Sequence, residues 1–199
     1  DFLGNDLLGK TVGIIGLGNI GTRLAELCCG LFEAQVLAYD PYLTDSQILA
    51  RGAQPSSFEK LLTESDFVSV NCPLTDETRG MIDAIALARM KSSAYFVTTA
   101  RGGIHDEGAL VSALASGELR GAGLDVWTDE PPPIEHALHG FDNVIITMHT
   151  AGVTEEARLR AGIGAAEQWM GIWRGERPPR LVNPEAWPQF QARFCEATD

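Results

Sequence analysis

The chain has 199 residues, of which 45% are hydrophobic, and its formal net charge is −12 at pH 7. This length and composition fit one large globular domain or two small ones. Because an acidic protein repels phosphate backbones, the charge argues against nucleic acid as a partner. No apolar run approaches the roughly 18 residues that a membrane helix needs, so the sequence predicts no membrane span.

Short apolar runs alternate with helical patterns along the chain. Thr11–Ile15 is nearly all apolar and rich in β-branched residues, which predicts a strand buried on both faces of a parallel sheet. Similar runs predict further strands at 36–39, 67–70, 94–97, 123–126 and 144–146.

Helical spacing predicts helices between these strands. After the first strand, apolar residues recur at a helical period and predict an amphipathic helix of about three turns. Its apolar positions are Ile20, Leu24, Leu27, Cys28 and Leu31. Weaker patterns predict helices at 46–51 and 57–64. A further helix begins at an Asp106 cap and ends at Gly117, and Thr154 caps a long one.

Strands that alternate with helices predict βαβ units and a doubly wound parallel sheet, the Rossmann type of α/β fold. We predict a single such domain over residues 1–174. The remaining segment, 175–199, is rich in proline and aromatic residues and is predicted to be a C-terminal tail outside the sheet. Trp187 and Phe190 of this tail are expected to form exposed apolar surface or contacts with a partner.

A glycine-rich loop joins the first strand to the first helix: Gly16-Leu17-Gly18-Asn19-Ile20-Gly21. Such a loop at this place is typical of dinucleotide-binding proteins. Gly16 permits the tight turn, Gly18 lets the backbone approach a pyrophosphate, and Gly21 lets the helix pack closely on the strand. The N–H groups of Asn19 and Ile20 then point at phosphate oxygens.

Asp40 is the second part of this fingerprint. It stands at the end of the second strand, where a carboxylate can accept hydrogen bonds from both adenosine ribose hydroxyls. It would repel a 2′-phosphate, so NAD is predicted in preference to NADP. The alternatives are a plain turn residue before Pro41, or the similar acidic position of a methyltransferase that binds S-adenosylmethionine.

Further motifs follow in order along the chain. They are Pro73-Leu74-Thr75-Asp76-Glu77-Thr78-Arg79-Gly80, Ala100-Arg101-Gly102-Gly103, Gly123-Leu124-Asp125-Val126 with Glu130-Pro131-Pro132, and Thr147-Met148-His149-Thr150-Ala151-Gly152. With the glycine loop, they resemble the cofactor domain of D-isomer-specific 2-hydroxyacid dehydrogenases. The resemblance runs from about Leu8 to Asn183.

This resemblance implies three catalytic residues: Arg101, Glu130 and His149. A histidine near neutral pKa suits proton transfer to the carbonyl oxygen of a 2-keto acid. Glu130 would orient the imidazole and stabilise its charged form, although the run Asp129-Glu130 leaves an ambiguity of one residue. Arg101 is permanently charged and forked, which suits a substrate carboxylate.

The resemblance also implies further cofactor-binding positions. They are Pro73, Thr78, Thr99, Ala100, Arg101, Asp125, His149 and Gly152, in addition to the glycine loop and Asp40. Asp125 resembles the family's contact to the nicotinamide carboxamide. The other histidines, His105, His136 and His139, are predicted to be structural.

The resemblance implies an NAD-dependent oxidoreductase that transfers a hydride between NAD(H) and a 2-hydroxy or 2-keto acid. Glyoxylate, hydroxypyruvate and phosphoglycerate-type acids are the candidate substrates. The chain would be mainly the cofactor domain, and its tail would return toward a substrate domain absent from this sequence. The alternative is a non-catalytic, NAD-sensing interaction protein that resembles corepressor relatives of the family.

The four cysteines are Cys28, Cys29, Cys72 and Cys195, and none forms a CxxC pattern. They predict free thiols in a reducing compartment and no metal site. We therefore expect a cytoplasmic protein, and the resemblance adds a homodimer.

Overall fold

The computed structural model describes residues 6–196, with side chains as far as residue 194, so the side chain of Cys195 lies outside it. The chain divides into two compact units, Asp1–Ala151 and Gly152–Asp199, and each is described by itself. The division expected at residue 174 stays a prediction; the first compact unit ends before the long helix that this prediction includes.

The first unit is built on a seven-stranded sheet in which every pair is parallel. Its strands are β1 (Thr11–Ile15), β2 (Gln35–Tyr39), β3 (Gln54–Pro55), β4 (Phe67–Val70), β5 (Tyr95–Thr98), β6 (Gly121–Leu124) and β7 (Val144–Ile146). Its helices are α1 (Asn19–Phe32), α2 (Asp45–Ala50), α3 (Phe58–Glu64), α4 (Ala84–Ala88) and α5 (Glu107–Ser116), with a 3-10 helix at Ala137–Gly140. The predicted doubly wound α/β fold is confirmed.

The strand order β3-β2-β1-β4-β5-β6-β7 places β1 between β2 and β4. The chain runs outward in one direction from β1 to β3 and in the other from β4 to β7. The register aligns Ile15 with Tyr39 and Val70, so three strand ends meet at one edge. In open parallel sheets, ligands bind at this edge, where the strand order reverses.

The sheet is buried on both faces, which explains its nearly continuous apolar strands. Val12 and Ile14 of β1 belong to one core cluster with Ala25 of α1. Ile15 belongs to a second cluster, which contains Phe96 of β5. Neighbouring residues of β1 therefore face opposite layers, as expected of a pleated strand.

Some boundaries differ from the predictions. β6 ends at Leu124 and leaves Asp125 just beyond the strand, instead of spanning 123–126. β3 and α4 have no counterpart in the sequence prediction, because elements of two and five residues are too short to show a period.

Helix α1 buries the predicted face only in part: Cys28 is buried and Leu24 packs against the core, but the buried face is rotated toward Gly21 and Ala25. Its buried residues are Gly21, Ala25 and Cys28. A Cβ on Gly21 would lie 2.2 Å from the carbonyl oxygen of Gly16, so the helix backbone rests directly on the glycine loop. This contact sets the rotation of the helix, and the residues four and seven positions later share the buried face. Three of the predicted apolar positions are exposed instead: Ile20 by 65%, Leu27 by 37% and Leu31 by 70%.

The second unit contains α6 (Glu155–Trp173), a 3-10 helix at Pro184–Ala186 and α7 (Trp187–Glu196). The ring of Trp187 stacks on that of Phe190, with centroids 5.1 Å apart. Trp187 is only 9% exposed, so its predicted exposure is wrong, whereas Phe190 is 38% exposed. The described residues include no helix long and apolar enough to cross a membrane.

Most helices begin at a side-chain cap. The caps of α2 to α6 are Thr44, Ser57, Asp83, Asp106 and Thr154. Asp106 and Thr154 are the predicted caps, and Gly117 ends α5 with a φ of 75°. Helix α1 is different, because it begins at Gly18 with no side-chain cap. The first N–H groups of a helix have no partner within it, and in α1 no capping side chain accepts from them either.

We expect Gly21→Ala to destabilise the protein, because overpacking of a closed contact costs about 1–3 kcal/mol. Gly30→Ala on the same helix is the matched control. A Cβ at Gly30 would meet nothing within 4 Å, and alanine favours a helix over glycine by about 0.5–1 kcal/mol. Urea unfolding followed by circular dichroism measures both changes. Equal stability of the two variants would show that α1 does not rest on the glycine loop.

Candidate active site

A cleft of about 470 Å³ opens at the carboxyl ends of β1, β2 and β4. The glycine loop, the end of β2 and the loop after β4 form its walls. The lining includes predicted cofactor residues from all three segments: Gly16, Gly18, Asp40, Pro73 and Thr78. Folding thus brings together motifs that are far apart in the sequence.

The glycine loop lets a ligand approach its backbone. Gly16 has a φ of 88°, and a Cβ there would lie 2.6 Å from the backbone nitrogen of Cys72. Gly18 lines the cleft, and a Cβ on it would meet no atom within 4 Å. Because α1 has no side-chain cap, no capping side chain occupies the start of the helix, and the predicted contacts of the Asn19 and Ile20 N–H groups with phosphate oxygens stay a prediction.

Asp40 connects the β2 side of the cleft to the glycine loop. Its Oδ2 accepts a hydrogen bond from the Leu17 N–H at 2.9 Å, and its Oδ1 accepts one from the Tyr42 N–H at 3.0 Å. Each oxygen keeps a lone pair for another donor. The carboxylate can therefore accept ribose hydroxyls while it holds the glycine loop.

Tyr42 and Glu77 are lining residues that the motifs did not identify. The Tyr42 hydroxyl donates a hydrogen bond to the Glu77 carboxylate, and both side chains line the same cleft. In the same loop, the Thr78 hydroxyl donates to the carbonyl oxygen of Pro73 at 2.7 Å. Thr78 therefore shapes the loop after β4 in addition to lining the cleft.

A second cleft of about 480 Å³ shares Asn71, Cys72 and Pro73 with the first. Ile20 from α1 lies on one side of it. The other side is formed by the loop after β5, with Thr99, Ala100 and Arg101. The exposed Arg101 donates through Nη1 to the Ala100 carbonyl at 2.6 Å, and its permanent charge lies at this end of the combined site.

His149 and Glu130 pair beyond the carboxyl ends of β7 and β6. The Nδ1 atom of His149 lies 2.8 Å from Oε2 of Glu130, while Oε1 accepts the Trp127 N–H at 3.2 Å. Asp129 makes neither bond, so geometry favours Glu130 as the carboxylate partner. The hydrogen bond with His149 is the largest cause that lowers the pKa of Glu130, and the Trp127 N–H and the charge of Arg101 act in the same direction. Glu130 thus holds the Nδ1–H of the imidazole and leaves Nε2 for a substrate.

Asp125 holds the segment that carries His149. Its carboxylate accepts hydrogen bonds from the Thr147 hydroxyl at 2.5 Å, the Thr150 N–H at 2.7 Å and the Ala151 N–H at 3.0 Å. Its backbone carbonyl accepts the His149 N–H at 2.7 Å. Burial raises the pKa of Asp125, but these hydrogen bonds outweigh it and bring the pKa below its usual range. Asp125 therefore positions His149, and its contact with a nicotinamide stays a prediction.

The other predicted positions lie elsewhere. Gly152 belongs to the second unit, and its contact with a cofactor stays a prediction. His105 is 3% exposed beside Phe96 in the core, and burial lowers its pKa. His136 and His139 both pack against Trp127, outside the two clefts.

The chain belongs to the D-isomer specific 2-hydroxyacid dehydrogenase family, because residues 1–151 match the family's NAD-binding domain. This match confirms the family resemblance and the cofactor class predicted from the glycine loop and Asp40.

Known relatives agree with this assignment. The chain is 44% identical to the glyoxylate reductase of Aeropyrum pernix over 193 residues, which are 96% of this chain and 57% of that enzyme. It is 43% identical to the D-3-phosphoglycerate dehydrogenase of Mycobacterium leprae over 92% of this chain and 34% of that enzyme. The NAD-complexed D-isomer specific 2-hydroxyacid dehydrogenase from Lactobacillus delbrueckii ssp. bulgaricus superposes with a TM-score of 0.81 at 35% identity, over 90% of this chain and 58% of that one. The chain therefore spans about half the length of such relatives or less, and none of them supports the NAD-sensing alternative.

We expect Asp125→Asn to destabilise the protein by about 1–3 kcal/mol at neutral pH, because the amide leaves buried donors unpaired. Since folding lowers the pKa of Asp125, its carboxylate stabilises the fold above the unfolded pKa of ~3.9. This contribution is lost as the pH falls through the folded value. The difference in stability between wild type and variant should therefore narrow in acid.

Urea unfolding at pH 7 and at pH values near and below the unfolded pKa measures this difference. Asp142→Asn is the control, because Asp142 is exposed on the loop before β7 and should show no such effect. If the loss of stability in Asp125→Asn stays the same at every pH, the Asp125 charge does not have the proposed stabilising role.

Proposed function

We propose that this chain binds NAD(H) and supplies the proton-transfer group of an enzyme that interconverts 2-keto and 2-hydroxy acids. The observation that carries the proposal is the His149–Glu130 pair, 2.8 Å apart, beside a dinucleotide-binding edge. Arg101 is the third catalytic residue, and the chain is mainly the cofactor domain of the enzyme.

The residues of the first cleft bind the cofactor. The N–H groups at the start of α1 bind the pyrophosphate, and Asp40 accepts hydrogen bonds from the adenosine ribose hydroxyls. Pro73 and Thr78 line the first cleft, where they would contact the adenosine part of the cofactor. Thr99 and Ala100 line the second cleft, which would hold the nicotinamide. When bound, NADH supplies the hydride that reduces the carbonyl carbon.

His149 performs the acid–base step. In the direction of reduction, its Nε2–H gives a proton to the carbonyl oxygen, and Glu130 has already stabilised the imidazolium that carries this proton. In the reverse direction, neutral His149 accepts the proton of the substrate hydroxyl. Arg101 binds the substrate carboxylate with its forked donors and polarises the carbonyl.

The relatives support a small 2-keto or 2-hydroxy acid as the substrate. Two of those named above act, by name, on glyoxylate and on D-3-phosphoglycerate. Glyoxylate, hydroxypyruvate and phosphoglycerate-type acids are therefore the substrates to test. Because the relatives are longer than this chain, we expect residues outside it to cover the substrate, and slow turnover without them.

The chain should bind NADH at least about tenfold more tightly than NADPH, because the Asp40 carboxylate repels a 2′-phosphate. Titration followed by tryptophan fluorescence measures both affinities. Asp40→Ala removes the repulsion and should bring the two affinities close together. Asp45→Ala removes the same charge from α2 and should keep the preference. Tighter binding of NADPH by the wild type would count against the role of Asp40.

His149→Gln should lower kcat for glyoxylate or hydroxypyruvate at least about 100-fold, because an acid–base group contributes about 10²–10⁴ in rate. Glu130→Gln should also slow the reaction, whereas Asp129→Asn removes a neighbouring carboxylate with no bond to His149 and should not. NADH oxidation is measured in the longest form of the protein that its gene encodes. Full activity of His149→Gln would exclude the acid–base assignment.

The proposal extends to a homodimer in the cytoplasm. The thiols of Cys28, Cys29 and Cys72 are free, which suits a reducing compartment. Trp169 and Trp173 of α6 are 64% and 74% exposed, and large exposed apolar side chains of this kind favour contacts with other protein surfaces. Analytical ultracentrifugation reports the assembly state.

A further inference from the structure

The loop that carries Glu130 is long and has little secondary structure of its own. It runs over residues 125–143, between β6 and β7, and its regular part is the 3-10 helix Ala137–Gly140. Loops of this length without secondary structure are uncommon in compact domains unless they serve a function. The position of Glu130 therefore depends on contacts that this loop makes with the rest of the unit.

Glu107, the first residue of α5, makes two of these contacts. Its Oε1 accepts the Thr128 N–H at 2.7 Å, and its Oε2 lies 3.1 Å from Nε2 of His136. The side chains of Glu107 and His136 are each 17% exposed. Nδ1 of His136 accepts the Leu138 N–H, so the ring proton is on Nε2 and is donated to Glu107. One carboxylate thus ties together two parts of the loop.

Trp127 transmits this restraint to the catalytic residues. Its backbone N–H donates to Glu130 at 3.2 Å, and its indole Nε1–H donates to the carbonyl oxygen of Thr147, two residues before His149, at 3.0 Å. The His136 ring packs edge-on against the indole, with centroids 5.3 Å apart.

The Trp127 backbone also abuts the turn that carries Arg101. A Cβ on Gly102 would lie 1.7 Å from the carbonyl oxygen of Trp127, so no side chain can separate the two segments. The turn from Trp127 to Glu130 therefore carries one proposed catalytic residue and touches the segments that carry the other two, Arg101 and His149.

We propose that Glu107 and His136 are positioning residues that hold the turn from Trp127 to Glu130, so that Glu130 meets His149. The effect of this positioning on catalysis rests on the proposed function. Neither residue lines the two clefts or reaches a reacting atom. They act through geometry, and a misplacement of about 1 Å in an active site can cost about 100-fold in rate.

A purely structural role predicts something different for Glu107. A carboxylate on the first residue of a helix stabilises that helix through the helix dipole, whether or not it also holds a loop. Glu155 stands at the same place in α6, directly after a side-chain cap, and is exposed. Glu155→Ala is thus the matched control for loss of helix stability alone.

The test compares Glu107→Ala, Glu107→Gln and Glu155→Ala. The readout is the titration of the Glu130 carboxyl carbon by ¹³C NMR in this chain, with Glu130→Gln to assign the signal. In Glu107→Ala, we expect the pKa of Glu130 to rise toward its ordinary value, because its bonds to His149 and the Trp127 N–H loosen. In Glu107→Gln, the amide oxygen can still accept the Thr128 N–H, but the amide N–H group faces the His136 donor. The pKa of Glu130 should therefore rise less in this variant. Glu155→Ala should titrate as wild type.

The kinetic readout uses the longest form of the protein that its gene encodes. Glu107→Ala should lower kcat about 10- to 100-fold, with the KM for NADH within about twofold of wild type. Glu107→Gln should recover part of the loss, and Glu155→Ala should keep full activity.

If Glu107→Ala does not fold, His136→Phe takes its place, since it keeps the ring packing on Trp127 and removes the donor to Glu107. A wild-type Glu130 titration in every folded variant of Glu107 and His136 would overturn the proposal. This titration needs no turnover. A wild-type enzyme that reduces none of the candidate acids would therefore contradict the proposed function, while a shifted Glu130 titration in Glu107→Ala would still support the positioning role.

Discussion

The candidate site depends on one close approach, between the backbone of α1 and the glycine loop. At Gly21 the helix lies so near the Gly16 carbonyl that a single methyl group would not fit. This approach places the first turn of α1 directly over the end of β1. The Leu17 N–H then reaches Asp40, and the start of α1 at Gly18 lines the cleft without a side-chain cap. The absence of a side chain at Gly21 thus fixes the position of the segments proposed to bind the phosphates and the ribose.

Much of the fold could be predicted because alternating β and α patterns admit few arrangements. Right-handed crossovers between parallel strands lead to the observed sheet. The buried face of α1 was predicted only in part, because hydrophobic periodicity counts side chains, whereas the contact at Gly21 sets the rotation of this helix. The burial of Trp187 could not be predicted either, because its stacking on Phe190 depends on the helix that the tail forms.

The sequence could predict those site residues whose side-chain chemistry suits the reaction and which also lie in a recognisable motif. Asp40, Glu130 and His149 each stand at a strand end or in the loop beyond, and the geometry joins the last two as expected. Bonds between distant residues have no local signature, so sequence patterns cannot reveal them. The bonds from Glu107 to Thr128 and from Tyr42 to Glu77 are of this kind. Asp125 shows a further limit, because its type and position were identified while its bonds to the His149 segment were not.

Helix α1 can take its N-terminal cap from a ligand, because the chain supplies no side-chain cap there. The helices α2 to α6 begin on a side chain of their own, and α1 begins on bare glycine. A ligand that binds there binds only the folded state, and at 100 times its Kd it adds about 2.7 kcal/mol of stability. A gain of this size lowers the unfolded population that cellular proteases can attack. The amount of this protein in a cell should therefore follow the supply of free cofactor as well as the rate of its synthesis.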